Sequence, residues 1–405
     1  MSGIISTIFK TIINIVVCSL FTLQYIFVKN NKALWNFEYM TIAKWRKIIV
    51  VFMALSLSML PWKGLSFDNS VLIFEPSSII QPGLDFDGHL SFVHDSSKII
   101  AFGMRTLGNK ISVWDVKTRK SEPSIMARRE VRDVAFSNDG QYMAIGWRRS
   151  WNPTEKDVYL ELLDLKTNEI IELQRKEPFD KERYLGINAV AFSNDSKYLA
   201  LLLVPDTPSN AFQRETANSI IEIWDAGTWE LIKNIKGPSG SWPRNLIYSP
   251  DGKYLVTDAE YRKGICIWDI ATGSLYKTFA QENWIRDIIF NPDGRYIAAG
   301  VSDGVVSSIK IWDIKTLKVV RTLPSNYQSD GNFIAFSPDG NYLAVIDYNA
   351  VKIWNMKTGL VAKTLSHPEK LLQRGLAYSP DGRYIAAGGE KYVKIWDVSE
   401  YNVEN

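Results

Sequence analysis

The sequence predicts an all-β repeat protein, and three observations in its 405 residues predict it. An aromatic residue recurs as Phe92, Phe136, Phe192, Tyr248, Phe290, Phe336 and Tyr378, each just ahead of a turn. A short alternating stretch such as "NYLAV" or "RYIAAG" follows each turn, and apolar residues at a period of two mark a strand with one buried face. Each unit then closes on Trp114, Trp224, Trp268, Trp312 or Trp396 followed by Asp, on Trp354-Asn355, or on Leu163-Asp164. Successive closing positions lie 49, 61, 44, 44, 42 and 42 residues apart, so the period belongs to a repeat architecture rather than to several unrelated domains.

Within a unit the elements follow in order. The aromatic ends the first strand. The turn is Pro-Asp-Gly in the last four copies, Asn138-Asp139-Gly140 and Asn194-Asp195-Ser196 earlier, and Asp95-Ser96-Ser97 in the first. Asp-Gly makes a tight hairpin because glycine takes a positive φ without penalty. Asp139, Asp195, Asp251, Asp293, Asp339 and Asp381 therefore read as turn residues; no turn offers the several oxygens that calcium needs. The alternating stretch is the second strand and the Trp-Asp segment the third. Segments such as "SLYKTFA" (274–280) and "LVAKTLS" (360–366) supply a fourth. The closing tryptophans sit among apolar neighbours and are expected in the core. The seventh copy ends soon after Trp396 and has no fourth strand of its own. "SVLIFEP" (70–76) precedes the first copy, lacks a partner, and is expected to pair as the outer strand of the last unit. That pairing also covers a sheet edge that would otherwise invite aggregation.

"FSPDGNYLAVIDYNAVKIWN" and "YSPDGRYIAAGGEKYVKIWD" resemble WD-repeats, and Gly88-His89 resembles the Gly-His of that family, which only the first copy has. The resemblance covers residues 70–397. It implies a seven-bladed β-propeller, expected over 66–405 and closed by strand 70–76, preceded by an apolar helical segment over 1–65.

Charge divides the chain at the same place. Residues 1–65 carry seven Lys/Arg and one Glu; the rest carries 40 basic and 43 acidic groups. The body therefore lacks the basic excess of a nucleic-acid binder, and none is expected as a partner. "TIINIVVCSLFTLQYIFV" (11–28) and "IIVVFMALSLSMLPW" (48–62) are uncharged. The first is long enough to span a bilayer; the second has the length of a signal-peptide core, with Met40 just upstream. Residues 1–65 thus read as a hairpin of two membrane helices or, from Met40, as a signal or anchor. Lys29, Lys32, Lys44, Arg46 and Lys47 against Glu38 hold the intervening loop in the cytoplasm. Both readings place the body outside the cytoplasm, membrane-anchored or secreted. The two cysteines, Cys18 and Cys266, build neither a metal site nor a disulfide framework.

Catalytic constellations are poorly supported. The three histidines, His89, His94 and His367, have no nucleophile motif beside them, and no cofactor or metal is expected. Counting back four residues from each strand aromatic gives Gly88, Arg132, Asn188, Arg244, Arg286, Asn332 and Arg374; counting back six includes Trp242 and Trp284. The resemblance places these positions at the start of the innermost strands, round the mouth of a central channel. It implies that Arg132, Arg244, Arg286 and Arg374 contact acidic groups of a peptide or protein partner. The loop "WRRSWNPTEKD" (147–157) brings Arg148, Arg149 and Trp151 to the same top face. Two positive charges ~10 Å apart repel by about 1.7 kcal/mol at an effective dielectric of ~20, so such arginines need an anion or local carboxylates. Glu130, Asp133, Asp287 and Asp330 are near enough in sequence to serve. The expectation is a non-catalytic binding scaffold. The alternative is an exported propeller hydrolase, lactonase-like, working at the channel mouth.

Overall fold

A computed structural model describes residues 71–74, 88–103, 110–127, 130–147, 160–173, 184–205, 218–239, 243–259, 264–279, 284–302, 307–325, 333–347, 350–366, 371–389 and 393–399. It is all-β. A first strand, β1 (Val71–Phe74), precedes six complete four-stranded blades. Blade 1 is β2 (Gly88–Phe92), β3 (Lys98–Gly103), β4 (Lys110–Asp115) and β5 (Ser121–Met126). Blade 2 is β6 (Val131–Phe136), β7 (Tyr142–Trp147), β8 (Leu160–Asp164) and β9 (Ile170–Leu173). Blade 3 is β10 (Tyr184–Phe192), β11 (Tyr198–Pro205), β12 (Asn218–Asp225) and β13 (Leu231–Ser239). Blade 4 is β14 (Leu246–Tyr248), β15 (Tyr254–Ala259), β16 (Gly264–Asp269) and β17 (Ser274–Phe279). Blade 5 is β18 (Trp284–Phe290), β19 (Tyr296–Ser302), β20 (Ser307–Asp313) and β21 (Lys318–Pro324). Blade 6 is β22 (Ile334–Phe336), β23 (Tyr342–Asp347), β24 (Ala350–Asn355) and β25 (Val361–Ser366). Blade 7 has β26 (Leu371–Tyr378), β27 (Tyr384–Gly389) and β28 (Val393–Asp397) from its own repeat. Its fourth strand is β1, antiparallel to β28 with Val71 opposite Trp396 and Phe74 opposite Val393.

Every pairing inside a blade is antiparallel, and the hairpins explain why the turns recur. In blade 6 the Ser337 hydroxyl donates to Asp339 at 2.5 Å and accepts the Tyr342 amide at 2.9 Å, while Asp339 accepts the Asn341 amide at 3.0 Å. The same trio is Ser137, Asp139 and Tyr142 in blade 2 and Ser193, Asp195 and Tyr198 in blade 3. The aspartates are therefore turn residues, tied to a buried serine two positions earlier except at Asp293, whose amide donates to Asn291 at 3.1 Å.

The core lies between blades. Ile265 and Ile267 of blade 4 pack with Ile288, Ile297 and Trp312 of blade 5, and comparable clusters repeat round the ring. The closing tryptophans 114, 224, 268, 312, 354 and 396 are all buried. What their ring nitrogens meet varies: Trp268 donates to the Thr257 hydroxyl at 3.0 Å, and Trp224 to Glu222 at 3.1 Å. On Trp396 the Lys394 ammonium sits 4.9 Å from the ring centroid. Blades are also clamped at their outer strands. Lys233 of β13 donates to the Ile270 and Ala271 carbonyls of blade 4, and Arg321 of β21 to the Met356 carbonyl of blade 6.

Candidate binding site in the central channel

The first strand of each blade faces the middle of the ring, and a local irregularity sets what it presents there. In β6 the register runs Val131 to Trp147 and then Asp133 to Gly146, so Arg132 is the extra residue of a bulge. In β10 the same shift falls at Asn188, and in β18 at Arg286. A regular strand sends neighbouring side chains to opposite faces. A bulge adds one residue and re-aims its side chain, so two successive residues can face the channel. Blade 4 reaches a similar arrangement by other means: Asp258 of β15 accepts the Arg244 amide at 2.8 Å and the Asn245 amide at 2.7 Å, just before β14 begins.

The result is a cavity of about 810 Å³ to which all seven blades contribute. Arg132, Arg244 and Arg286 all line it. So do Asn188 and the residues one place further on: His89, Asp133, Asn245, Asp287, Phe333 and Gly375. Arginines from blades 2, 4 and 5 thus share one space. Alignment of the repeats picked out positions one and three residues before this second set and passed it by. Its signal was available, since it lies three residues before each strand aromatic.

His89 shows the difference most plainly. By resemblance Gly88-His89 reads as the Gly-His of a WD-repeat. The structure places His89 on β2 against the channel, its ring stacked on Phe102 with centroids 5.4 Å apart and planes 10° apart. The spacing to Phe92, three residues, puts it on the innermost strand itself.

The carboxylates expected beside the arginines have other work. Asp133 accepts the Val134 amide and, across the blade boundary, the Val190 amide, each at 2.9 Å. Asp287 accepts the Ile334 amide of blade 6 at 3.1 Å. Both sit in the low-dielectric wall of the channel, and the resulting desolvation raises Asp133 to about 7 and Asp287 to about 6, despite the opposing amide bonds. Glu130 also lines the cavity. Arg244 is exposed, and among the described residues no carboxylate forms an ion pair with it.

The remaining predicted residues divide as follows. Arg374 lies in β26 and Trp284 in β18; their side chains lie outside the described residues. Trp242, Arg148, Arg149, Trp151, Asp330 and the whole of 1–65 also lie outside them. Among the described residues no helix is long and apolar enough to cross a membrane, and no group of three His, Cys, Asp or Glu could hold a metal.

Comparison with known proteins adds the following. The family model described as "WD domain, G-beta repeat" matches residues 273–313 and 361–397. Each match runs from the outer strand of one blade to the third strand of the next, so the sequence repeat is offset from the blade by one strand. The nuclear distribution protein nudF of Aspergillus niger is 26% identical over 229 residues, which are 53% of this chain and 47% of that protein. The chain therefore spans about half the length of that relative. A chain of Kuenenia stuttgartiensis hydrazine synthase superimposes with a TM-score of 0.61 at 18% identity, covering 80% of this chain and 99% of that one. At that identity the likeness is one of fold.

Proposed function

We propose, taking as premise that the chain is a WD-repeat β-propeller protein, that it is a non-catalytic scaffold binding an acidic peptide or protein at one face of the ring. WD-repeat propellers serve as protein-interaction scaffolds, and the fold by itself names no partner. One observation carries the reading: Arg132, Arg244 and Arg286 converge on one cavity whose nearest aspartates are tied to backbone amides. Acidic groups of a partner would be held there by charge-assisted hydrogen bonds. Arg374, Trp242, Trp284, Arg148, Arg149 and Trp151 extend the surface in this proposal, the tryptophans as apolar anchors. Residues 1–65 attach the protein to a membrane or export it, so that the propeller works outside the cytoplasm.

Charge reversal at two of the arginines tests this. Arg244→Glu with Arg286→Glu should abolish capture of acidic and phosphorylated peptides on an array, while the circular dichroism spectrum and melting temperature stay those of the parent. Retained capture would remove the site. Mass spectrometry of separated cell fractions gives the location: an intact apolar segment in the membrane, or a mature start near Phe67 outside the cytoplasm. Recovery from the cytoplasm would overturn that half of the proposal. The fold precedent of hydrazine synthase keeps a catalytic alternative open to direct test, since a stoichiometric divalent ion in the purified protein would favour an enzyme at the channel mouth.

A further inference from the structure

The channel wall is not uniform, and its two arcs point to a ligand with two ends. The residue three places before each strand aromatic is Phe333, Gly375 and His89 in blades 6, 7 and 1, which are consecutive round the closed ring. In blades 2, 4 and 5 it is Asp133, Asn245 and Asp287, next to Arg132, Arg244 and Arg286. One arc is therefore aromatic and the other polar and cationic.

Gly375 is what joins the aromatic arc. A Cβ there would lie 2.7 Å from Leu90 Cγ and 2.9 Å from Leu90 Cδ1, so no side chain fits between the neighbours. His89 and Phe333, from the blades on either side of it, meet edge to face with centroids 6.3 Å apart and planes at 88°. Stacking on Phe102 fixes the His89 ring from behind. Both His89 and Phe333 keep part of their surface open, and both line the cavity. Its volume of about 810 Å³ falls within the roughly 300–1,000 Å³ of small-molecule sites.

We propose that the channel binds an aryl anion, with its acid group held by Arg132, Arg244 and Arg286 and its ring held against Phe333 and His89. A simple anion satisfies only the cationic arc, and a neutral ring only the aromatic one. An aryl phosphate or aryl carboxylate satisfies both, whether it arrives as a free molecule or as the side chain of a peptide. This rests on the arginine site proposed above and adds the aromatic arc to it.

Calorimetric titration of the full chain with inorganic phosphate, phenyl phosphate and a phosphotyrosine peptide tests it. Phenyl phosphate should bind on the order of tenfold more tightly than inorganic phosphate, the increment of one aromatic contact. Phe333→Leu, which keeps apolar bulk without a ring, should bring phenyl phosphate down to the affinity of inorganic phosphate. Should that variant melt well below the parent, His89→Leu is read instead for the same loss. A phosphotyrosine peptide binding more tightly than phenyl phosphate identifies a peptide as the source; equal affinity identifies a free molecule, and both support an aryl anion. Equal affinity for phosphate and phenyl phosphate in the parent overturns the aromatic arc alone. Absence of binding by either overturns the arginine site beneath it.

Discussion

At the scale of single residues, the blade boundaries depend on contacts that no local pattern announces. Gly359 closes the turn after the Trp354 strand with φ of +75°, in the left-handed region that favours glycine. That conformation is legible from "MKTG". The second reason for glycine is not: a Cβ there would lie 2.6 Å from Arg321 Nη1 and 2.8 Å from its Cζ. Arg321 belongs to the preceding blade and reaches over to the Met356 carbonyl, 35 residues along the chain, at 2.9 Å. Gly359→Ala should therefore destabilise the protein twice. The left-handed alanine costs about 1–2 kcal/mol, and displacing Arg321 from its carbonyl costs about 1 kcal/mol more. In an Arg321→Ala background only the first cost remains, so urea unfolding of the four proteins should show a coupling of about 1 kcal/mol. Strict additivity would show that the arginine yields without losing its bond. Lys233 and the Ile270 and Ala271 carbonyls repeat the device beside Gly273, whose φ is +70°.

At the scale of strands, counting elements was enough to find a seven-bladed ring, because the aromatic, the turn and the Trp-Asp segment recur whatever fills the rest. The final repeat holds three strands, and β1 lies against β28 as the fourth. Removing residues 66–77 takes away that pairing and leaves β28 as an open edge. Limited proteolysis of the shortened chain should then proceed markedly faster than in the parent, with cuts near blade 7, and the protein should aggregate more readily. An unchanged digestion rate would mean that β1 contributes nothing to closure. The channel was less legible for a reason internal to the strands. A period of two predicts that Arg132 and Asp133 face opposite ways, and likewise Arg286 and Asp287. The bulges at Arg132, Asn188 and Arg286 break that alternation, and a bulge here leaves no mark in composition or spacing. Aligning repeats found the arginines as a set, but only the bulges bring the arginines and the next residue into one wall.

At the scale of the whole molecule, the ring is stitched by polar contacts between neighbouring blades, and two of them make its stability depend on pH. Asp133 ties blade 2 to the Val190 amide of blade 3, Asn188 ties blade 3 to the Pro243 carbonyl, and Asp287 ties blade 5 to the Ile334 amide of blade 6. At the seam, Ser96 of blade 1 accepts the Asp381 amide of blade 7. Desolvation in the channel wall raises Asp133 to about 7 and Asp287 to about 6 from an ordinary 3.8, with Arg286 pulling Asp287 slightly back. An acid whose pKa rises on folding holds its proton more tightly in the folded chain. Its contribution is complete below about pH 4, where both states are protonated, and is lost as pH rises through the folded values of about 6 and 7. The turn aspartates act in the opposite sense. The Ser193 hydroxyl holds Asp195 below the usual range, and the Thr228 amide does the same for Asp225, so their stabilisation is lost as pH falls below about 4. The two tendencies place maximum stability near pH 4, below which the turns lose stability and above which the channel does. Asp133→Asn with Asp287→Asn keeps a carbonyl oxygen as hydrogen-bond acceptor at each site while removing the titration. The melting temperature of that variant should stay nearly level from about pH 4 to pH 7, where the parent declines, and both should fall together below about pH 4. A parallel decline of the two proteins between about pH 4 and pH 7 would assign the loss to other groups and leave the channel aspartates as neutral struts.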